Sequence, residues 1–270
     1  AAYNMNVLTP LQNVGDGLDL ALSAGADPNT ITTCPLLAAG GRDMTMDSQV
    51  GGAGVNPGVW INKTGHRFAA ESVAENLGDI GTYYGKQPGG IVWSILSQAD
   101  VDRLVSEGSE IAIGEFVVYH KPMTGLLPEL EAHLESGLVK KADTFEDLAE
   151  QMGVPTDEFV ETMTAYNEAC EKGVDEAYFK KPQYLRALAE PPFYGIPLAT
   201  GTMGSAGGIK VNGDMQVITS DGDAIPGLYA VGLDATGLYG DSYNMEIPGC
   251  ANGFAHTSGR IAARHAIANM

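Results

Sequence analysis

The chain has 270 residues, room for one large or two modest domains, with 44% hydrophobic and 18% charged residues, as in folded soluble proteins. Its 15 Lys and Arg stand against 34 Asp and Glu, a net charge of −19, so it has no cationic surplus to displace counterions from a nucleic acid or to dock on an anionic membrane. Cys34, Cys170 and Cys250 are too scattered for a disulfide framework, and neither they nor the five dispersed histidines have metal-ligand spacing, so no metal site is expected. No apolar run reaches membrane-spanning length, and the start at Ala1 lacks the charged-then-apolar pattern of a signal peptide. The sequence therefore predicts no membrane insertion and leaves the compartment open.

In chain order, Asn13 to Gly17 opens a short amphipathic helix carrying Leu18, Ala21 and Leu22 and stopping at Gly25. A glycine-rich, weakly patterned stretch runs from Gly40 to Gly58. Val59-Trp60-Ile61 then reads as a strand that turns at Lys63-Thr64-Gly65 into Arg67-Phe68. Asp143 and Glu146 have capping-box spacing ahead of a helix ending at Gly153. Pro155-Thr156 starts the next helix, with Phe159, Met163, Tyr166 and Cys170 on one side and Gly173 beyond its end. Lys181 to Pro192 reads as a crossing into another unit. From Gly208 the pattern becomes β-like, with tight-turn pairs at Asn212-Gly213 and Asp221-Gly222 and a buried-strand pattern at Gly227 to Gly232. The last helix spans about Gly249 to Ile267, with a small-residue face of Ala251, Phe254, Ala255, Ser258, Ala262 and Ala266.

Four segments, in this order, carry a resemblance to one family. They are Gly15-Asp16-Gly17 with Ala24-Gly25-Ala26; Ile61 to Glu71 (INKTGHRFAAE); Pro192-Phe193-Tyr194 through Gly207-Gly208-Ile209; and Ile225 to Gly232 followed by Ser258 to Ala263. Together they resemble the FAD-dependent flavoprotein group of fumarate reductase, succinate dehydrogenase, urocanate reductase and 3-ketosteroid dehydrogenase. The resemblance implies a mixed α/β and α+β fold, the later half of a flavin-binding domain with an inserted cap. Residues 1–55 and 200–270 would belong to the flavin domain and 56–199 to the cap. A G-x-G-x-x-G pyrophosphate turn in strand–helix context is absent, and Gly51-Gly52-Ala53-Gly54 is not read as one because no helix is expected to follow. An amino-terminal dinucleotide-binding segment is therefore expected as a missing partner, with FAD held weakly or not at all by this chain alone.

The residues implied at the cofactor are Gly15, Asp16, Gly17, Gly207, Gly208, Gly232, Asp234, Gly249, Cys250 and Ala251. A helix starting at Gly249 would turn unpaired N–H groups and a positive dipole end toward the charge of a reduced flavin. Asp234 reads as a ribose or ring contact, or as a plain loop aspartate. The catalytic candidates are Tyr243, Glu246, Arg67 and Glu71. Tyr243 could donate a proton or polarise a carbonyl, or simply pack at an interface. Glu71 and Glu75 have i, i+4 spacing and could relay protons, form a solvated face, or pair with Arg67.

The family's substrate-binding histidine before Gly-Gly has no counterpart in Thr202 to Ala206, and its arginine before the last helix is replaced by Glu246. The implied activity is hydride transfer between flavin and an unsaturated or ketone-bearing small molecule other than fumarate, with an external electron donor. The alternative is a non-catalytic cap or ligand-binding fragment.

Overall fold

The computed structural model describes residues 5–7, 12, 14–30, 35–112, 118–205, 208–235 and 249–270. In chain order its elements are β1 (Met5–Val7), α1 (Asp16–Ser23), β2 (Pro35–Gly41), α2 (Gln49–Val55), β3 (Val59–Asn62), α3 (Leu77–Gly85), β4 (Val92–Ser97), α4 (Gln98–Glu107) and α5 (Leu126–Glu135). There follow β5 (Lys140–Ala142), α6 (Phe145–Met152), α7 (Thr156–Lys172), β6 (Phe193–Ser205), β7 (Gln216–Ile218), β8 (Ala224–Tyr229) and α8 (Cys250–Ala268), with short 3-10 turns between some of them. The chain divides into two compact units, one of residues 1–8 and 38–201 and one of residues 9–37 and 202–270.

The larger unit is built on the antiparallel pairs β3–β4 and β4–β6. Successive side chains of a strand point to opposite faces, and both faces here are covered. Trp60, Leu96, Ile196 and Leu198 join Val50, Tyr84, Leu104 and Leu126 in one core cluster. Val59, Ile61, Ile95 and Phe193 join Leu148, Phe159 and Met163 of the α6–α7 pair in another. The result is a helix–sheet–helix sandwich whose middle layer is apolar on both sides.

Where the sequence suggested an unpatterned glycine-rich stretch, a buried helix forms. Residues 50–55 of α2 are all buried, and a Cβ on Gly54 would come within 2.8 Å of Leu198 Cδ2 and 3.0 Å of Ile196 Cγ2. Glycine lets this helix lie against β6. Ser48 caps it, accepting from the Gly51 N–H at 2.8 Å. The cap of α6 also differs from expectation. Thr144, not Asp143, accepts from the backbone N–H three residues on, that of Asp147 at 3.1 Å. The α6–Gly153–α7 pair forms as expected, with Gly153 and Gly173 left-handed at the two C-termini.

The smaller unit packs α1 and α8 with the β7–β8 hairpin. Its core holds Ala21, Ala26, Ile209, Val217, Ala230 and Ala235, with Leu18, Leu228 and Phe254 against them. Asp27 ties α1 to the hairpin, donating its N–H to the Ile218 carbonyl at 3.0 Å and accepting from Lys210 Nζ at 3.4 Å. The strand expected over 227–232 starts earlier, at Ala224, and none of its residues is buried. The buried residues of the 227–232 stretch, Ala230 and Gly232, lie past its end.

Candidate functional site

In the smaller unit a turn of three residues, Gly232–Asp234, is held from three sides. From one side, the Ile209 N–H donates to the Asp234 carbonyl at 2.6 Å and Ile209 bridges to Ala235 in parallel sense. A Cβ on Gly208 would stand 2.5 Å from that same carbonyl oxygen. From a second side α1 approaches so closely that a Cβ on Gly17 would lie 2.9 Å from Asp234 Oδ2. From the third, α8 packs on the turn, and its buried Ser258 accepts the Gly232 N–H at 3.0 Å. Gly17, Gly208, Gly232 and Asp234, expected at a cofactor from sequence, thus converge on one point.

Both helices in this region begin on left-handed glycine. Gly15 has φ 95° ahead of α1, and Gly249 has φ 78° ahead of α8. Neither residue has a side chain to cap the first turn, and a Cβ on either would meet no described residue within 4 Å. Among the described residues, nothing therefore crowds the backbone at Gly15 ahead of Asp16 or at Gly249 ahead of Cys250. An anionic or electron-rich group suits such helix starts. The residues present fit a flavin nucleotide, whose phosphates and reduced ring carry negative charge. Gly207, Tyr243 and Glu246 lie outside the described residues.

Arg67 and Glu71 belong to the larger unit, inside a buried charge cluster. Arg67 Nε donates to Glu71 Oε1 at 2.8 Å and Nη2 to Oε2 at 2.7 Å. The same Nη2 reaches Asp175 Oδ2 at 2.8 Å. Lys180 Nζ stands 3.6 Å from Glu71 Oε2 and donates to the Gly58 carbonyl at 2.5 Å and the Tyr166 hydroxyl at 3.0 Å. The rings of Tyr166 and Tyr178 flank the guanidinium at 4.9 and 5.0 Å. Two cations face two anions, so the cluster is neutral by formal charge. Burial pulls both cations toward the neutral form. For Arg67 the two carboxylates outweigh it and raise the pKa, whereas for Lys180 burial wins and lowers it.

Glu71 and Glu75 do not act as a pair. They sit in a 3-10 turn, not on an α-helical face; Glu71 is buried, while Glu75 accepts from Lys181 and from the Tyr184 hydroxyl. Tyr119 is exposed beside His120. Sequence reasoning missed Asp175 and Lys180, which close the cluster from more than 100 residues away, and the role of Ser258. The run Phe179-Lys180-Lys181 contains no sign that Phe179 is exposed and Lys180 buried. Among the described residues, no group of three or more His, Cys, Asp or Glu could hold a metal ion, and no helix is long and apolar enough to cross a membrane.

The structure thus has a smaller unit whose glycines crowd around one turn and a larger mixed α/β unit. The FAD binding domain family model matches residues 1–253, and the chain belongs to that family, with FAD as its cofactor. It is 35% identical to a vinyl phenol reductase of Lactiplantibacillus plantarum over 98% of this chain and 56% of that protein. It is 28% identical to an NADH:acrylate oxidoreductase of Vibrio harveyi over 94% of this chain and 23% of that one. The chain thus spans about half or less of these relatives. The 3-ketosteroid delta1-dehydrogenase of Sterolibacterium denitrificans shares the fold, with a TM-score of 0.76 at 22% identity, covering 98% of this chain and 48% of that structure.

Proposed function

We propose that the protein is an FAD-dependent oxidoreductase acting on a carbon–carbon double bond conjugated to a carbonyl, carboxylate or aromatic ring in a small neutral or monoanionic molecule. The observation that carries this reading is the convergence of Gly17, Gly208, Gly232 and Asp234 on one turn, within a unit whose helices start on bare glycine. Two relatives are named for vinyl phenol and acrylate, both conjugated alkenes. The family match runs through both units, which favours this reading over a non-catalytic cap.

Bound FAD supplies hydride donation and acceptance. The start of α8 at Gly249-Cys250-Ala251 would face the ring's developing negative charge, and the Gly15-Asp16-Gly17 start of α1 with Asp234 would hold the nucleotide side. Tyr243 is the proton donor or carbonyl-polarising group. Glu246 disfavours a second substrate carboxylate. Arg67 Nε and Nη2 and both Glu71 oxygens are engaged with each other, Asp175 and Lys180, so we assign the pair to holding the larger unit together and not to catalysis. Residues 56–199, which fall within that unit, serve as the cap over substrate. The pyrophosphate turn comes from polypeptide outside these 270 residues, and electrons come from an external donor.

The test is to join the chain to such a segment, reconstitute with FAD, and follow oxidation of reduced viologen. Turnover with an acrylate or vinyl phenol and little with fumarate is expected. A protein that takes up no flavin would overturn the reading.

A further inference from the structure

We infer that Ser258 is a positioning residue for the cofactor turn, setting the direction of the Gly232–Asp234 backbone toward FAD. The inference rests on the flavin reading above and adds to it a residue that touches no cofactor itself. Ser258 lies on the third turn of α8 and is 1% exposed. A hydroxyl has one proton and two lone pairs. The proton goes to the Phe254 carbonyl one helical turn back, at 2.6 Å, with the Ala255 carbonyl at 3.2 Å as its weaker acceptor. That leaves an oxygen lone pair for the Gly232 N–H at 3.0 Å.

The Gly232 amide is buried and left-handed, at φ 61°, at the point where the chain leaves β8 and bends into the turn. With Ser258 removed it would be a buried donor with no acceptor, an arrangement native proteins rarely tolerate. The bridge also sets the distance of the turn from α8. A Cβ on Gly232 would stand 3.5 Å from the Ala255 Cβ, so helix and turn already touch, and the hydroxyl sets their register. At the other end of the turn, Asp234 is held by Ile209 and approached by Gly17. Ser258 therefore couples the helix whose start faces the flavin to the turn that carries Asp234. A small hydrophobic residue would fill the same volume and lose the coupling.

The experiment uses the chain joined to a segment that carries the pyrophosphate turn and loaded with FAD, as wild type and with Ser258→Ala, Ser258→Cys and Ser258→Thr. FAD affinity is read by fluorescence titration of the apoprotein, alongside the visible flavin spectrum and thermal stability. Ser258→Ala is expected to weaken FAD binding about tenfold and to shift the flavin band, and Ser258→Thr to restore both. Ser258→Cys, nearly the same size with a weaker acceptor, should fall between and serves if the alanine variant fails to fold. Wild-type protein that binds no FAD overturns the flavin reading and this inference with it. Wild-type protein that binds FAD, with an alanine variant equal to it in affinity and spectrum, overturns this inference alone. A variant that loses thermal stability but keeps both flavin readouts makes Ser258 a packing residue and overturns it as well.

Discussion

Arg67 and Glu71 meet through two parallel hydrogen bonds of 2.8 and 2.7 Å, and neither residue is more than 6% exposed. Taking two charges out of water is costly, and such a pair is retained only when every remaining donor and acceptor finds a partner. Here Asp175, Lys180 and the Trp60 N–H supply further partners around the two side chains. Removing one member strands the others. Glu71→Ala is therefore expected to lower unfolding free energy by about 3–5 kcal/mol, the range for breaking a buried pair. Urea unfolding of the purified chain measures it, and a loss below about 1 kcal/mol, as for an exposed pair, would show that the cluster is not ionised.

Acid should act on the same cluster through Asp175. Burial pushes its carboxyl up, but the hydrogen bond and charge of Arg67 and the N–H groups of Tyr178 and Lys180 outweigh burial and hold it below the ordinary carboxylate range. A depressed folded-state pKa means stability that is fully present above the unfolded value, about 4, and is lost as pH falls through the lower folded value. The Asp175 contribution should thus survive at pH 5 and disappear on the acid side of pH 4. In Asp175→Asn this acid-dependent part of the unfolding curve should flatten. An unchanged pH profile in that variant would refute the assignment.

A second carboxylate works through a helix end. Glu129 of α5 accepts the Gln49 N–H at 2.8 Å and the Ser48 hydroxyl at 2.5 Å, placing a negative charge on the first turn of α2. Helix α2 has three glycines in seven residues, which at about 1 kcal/mol each disfavour a helix relative to alanine. Capping by Ser48 and the charge of Glu129 offset part of this, and packing on β6 supplies the rest. Glu129→Ala is expected to cost about 1–2 kcal/mol and to speed amide exchange in residues 49–52 selectively. Uniform exchange across the larger unit would contradict this.

The same helix shows what was legible in the sequence. Helix α7 was readable because Phe159, Met163 and Tyr166 recur with helical period and its ends carry Pro155 and Gly173. Helix α2 was not, because its reasons for forming lie in residues 129, 196 and 198, which only the fold brings near. The glycines at the Gly232–Asp234 turn were legible through the ordered motif segments; their common partner Asp234 was named, but the closeness of Gly17 and Gly208 to it was not. Arg67 and Glu71 stand out in sequence as catalytic candidates inside the Ile61–Glu71 segment, yet their surroundings are set by Asp175 and Lys180, whose burial no local pattern signals.

Gly17 and Gly208 make different demands on Asp234, and substitution separates them. At Gly17 a Cβ would meet the end of an exposed side chain, which can rotate away; at Gly208 it would meet backbone carbonyl at 2.5 Å, which cannot. Gly208→Ala should displace the turn, costing about 1–3 kcal/mol as for an overpacked site, and abolish flavin uptake by the chain joined to a pyrophosphate-binding segment. Gly17→Ala should leave stability nearly unchanged and weaken FAD only modestly. Equal effects of the two variants on melting temperature would contradict the geometry.

Substrate charge is the remaining test, and it turns on Glu246. A dianion such as fumarate needs a cation or strong donor at each carboxylate, which the resembling reductases supply with a histidine and an arginine. In this chain the first stretch reads Thr202-Met203-Gly204-Ser205-Ala206, without a histidine, and the resemblance puts Glu246 where the arginine would stand. Exchanging a cation for an anion reverses an interaction of about 4 kcal/mol at 4 Å in a partly solvated site. A monoanion or neutral alkene with a single polar anchor avoids that penalty. Reduced viologen as donor should therefore give faster turnover with acrylate-type or vinyl phenol substrates than with fumarate. Glu246→Arg should narrow that preference by at least tenfold in kcat/KM, about 1.4 kcal/mol, chiefly by improving fumarate. A preference left untouched by Glu246→Arg would show that Glu246 does not face the substrate carboxylate.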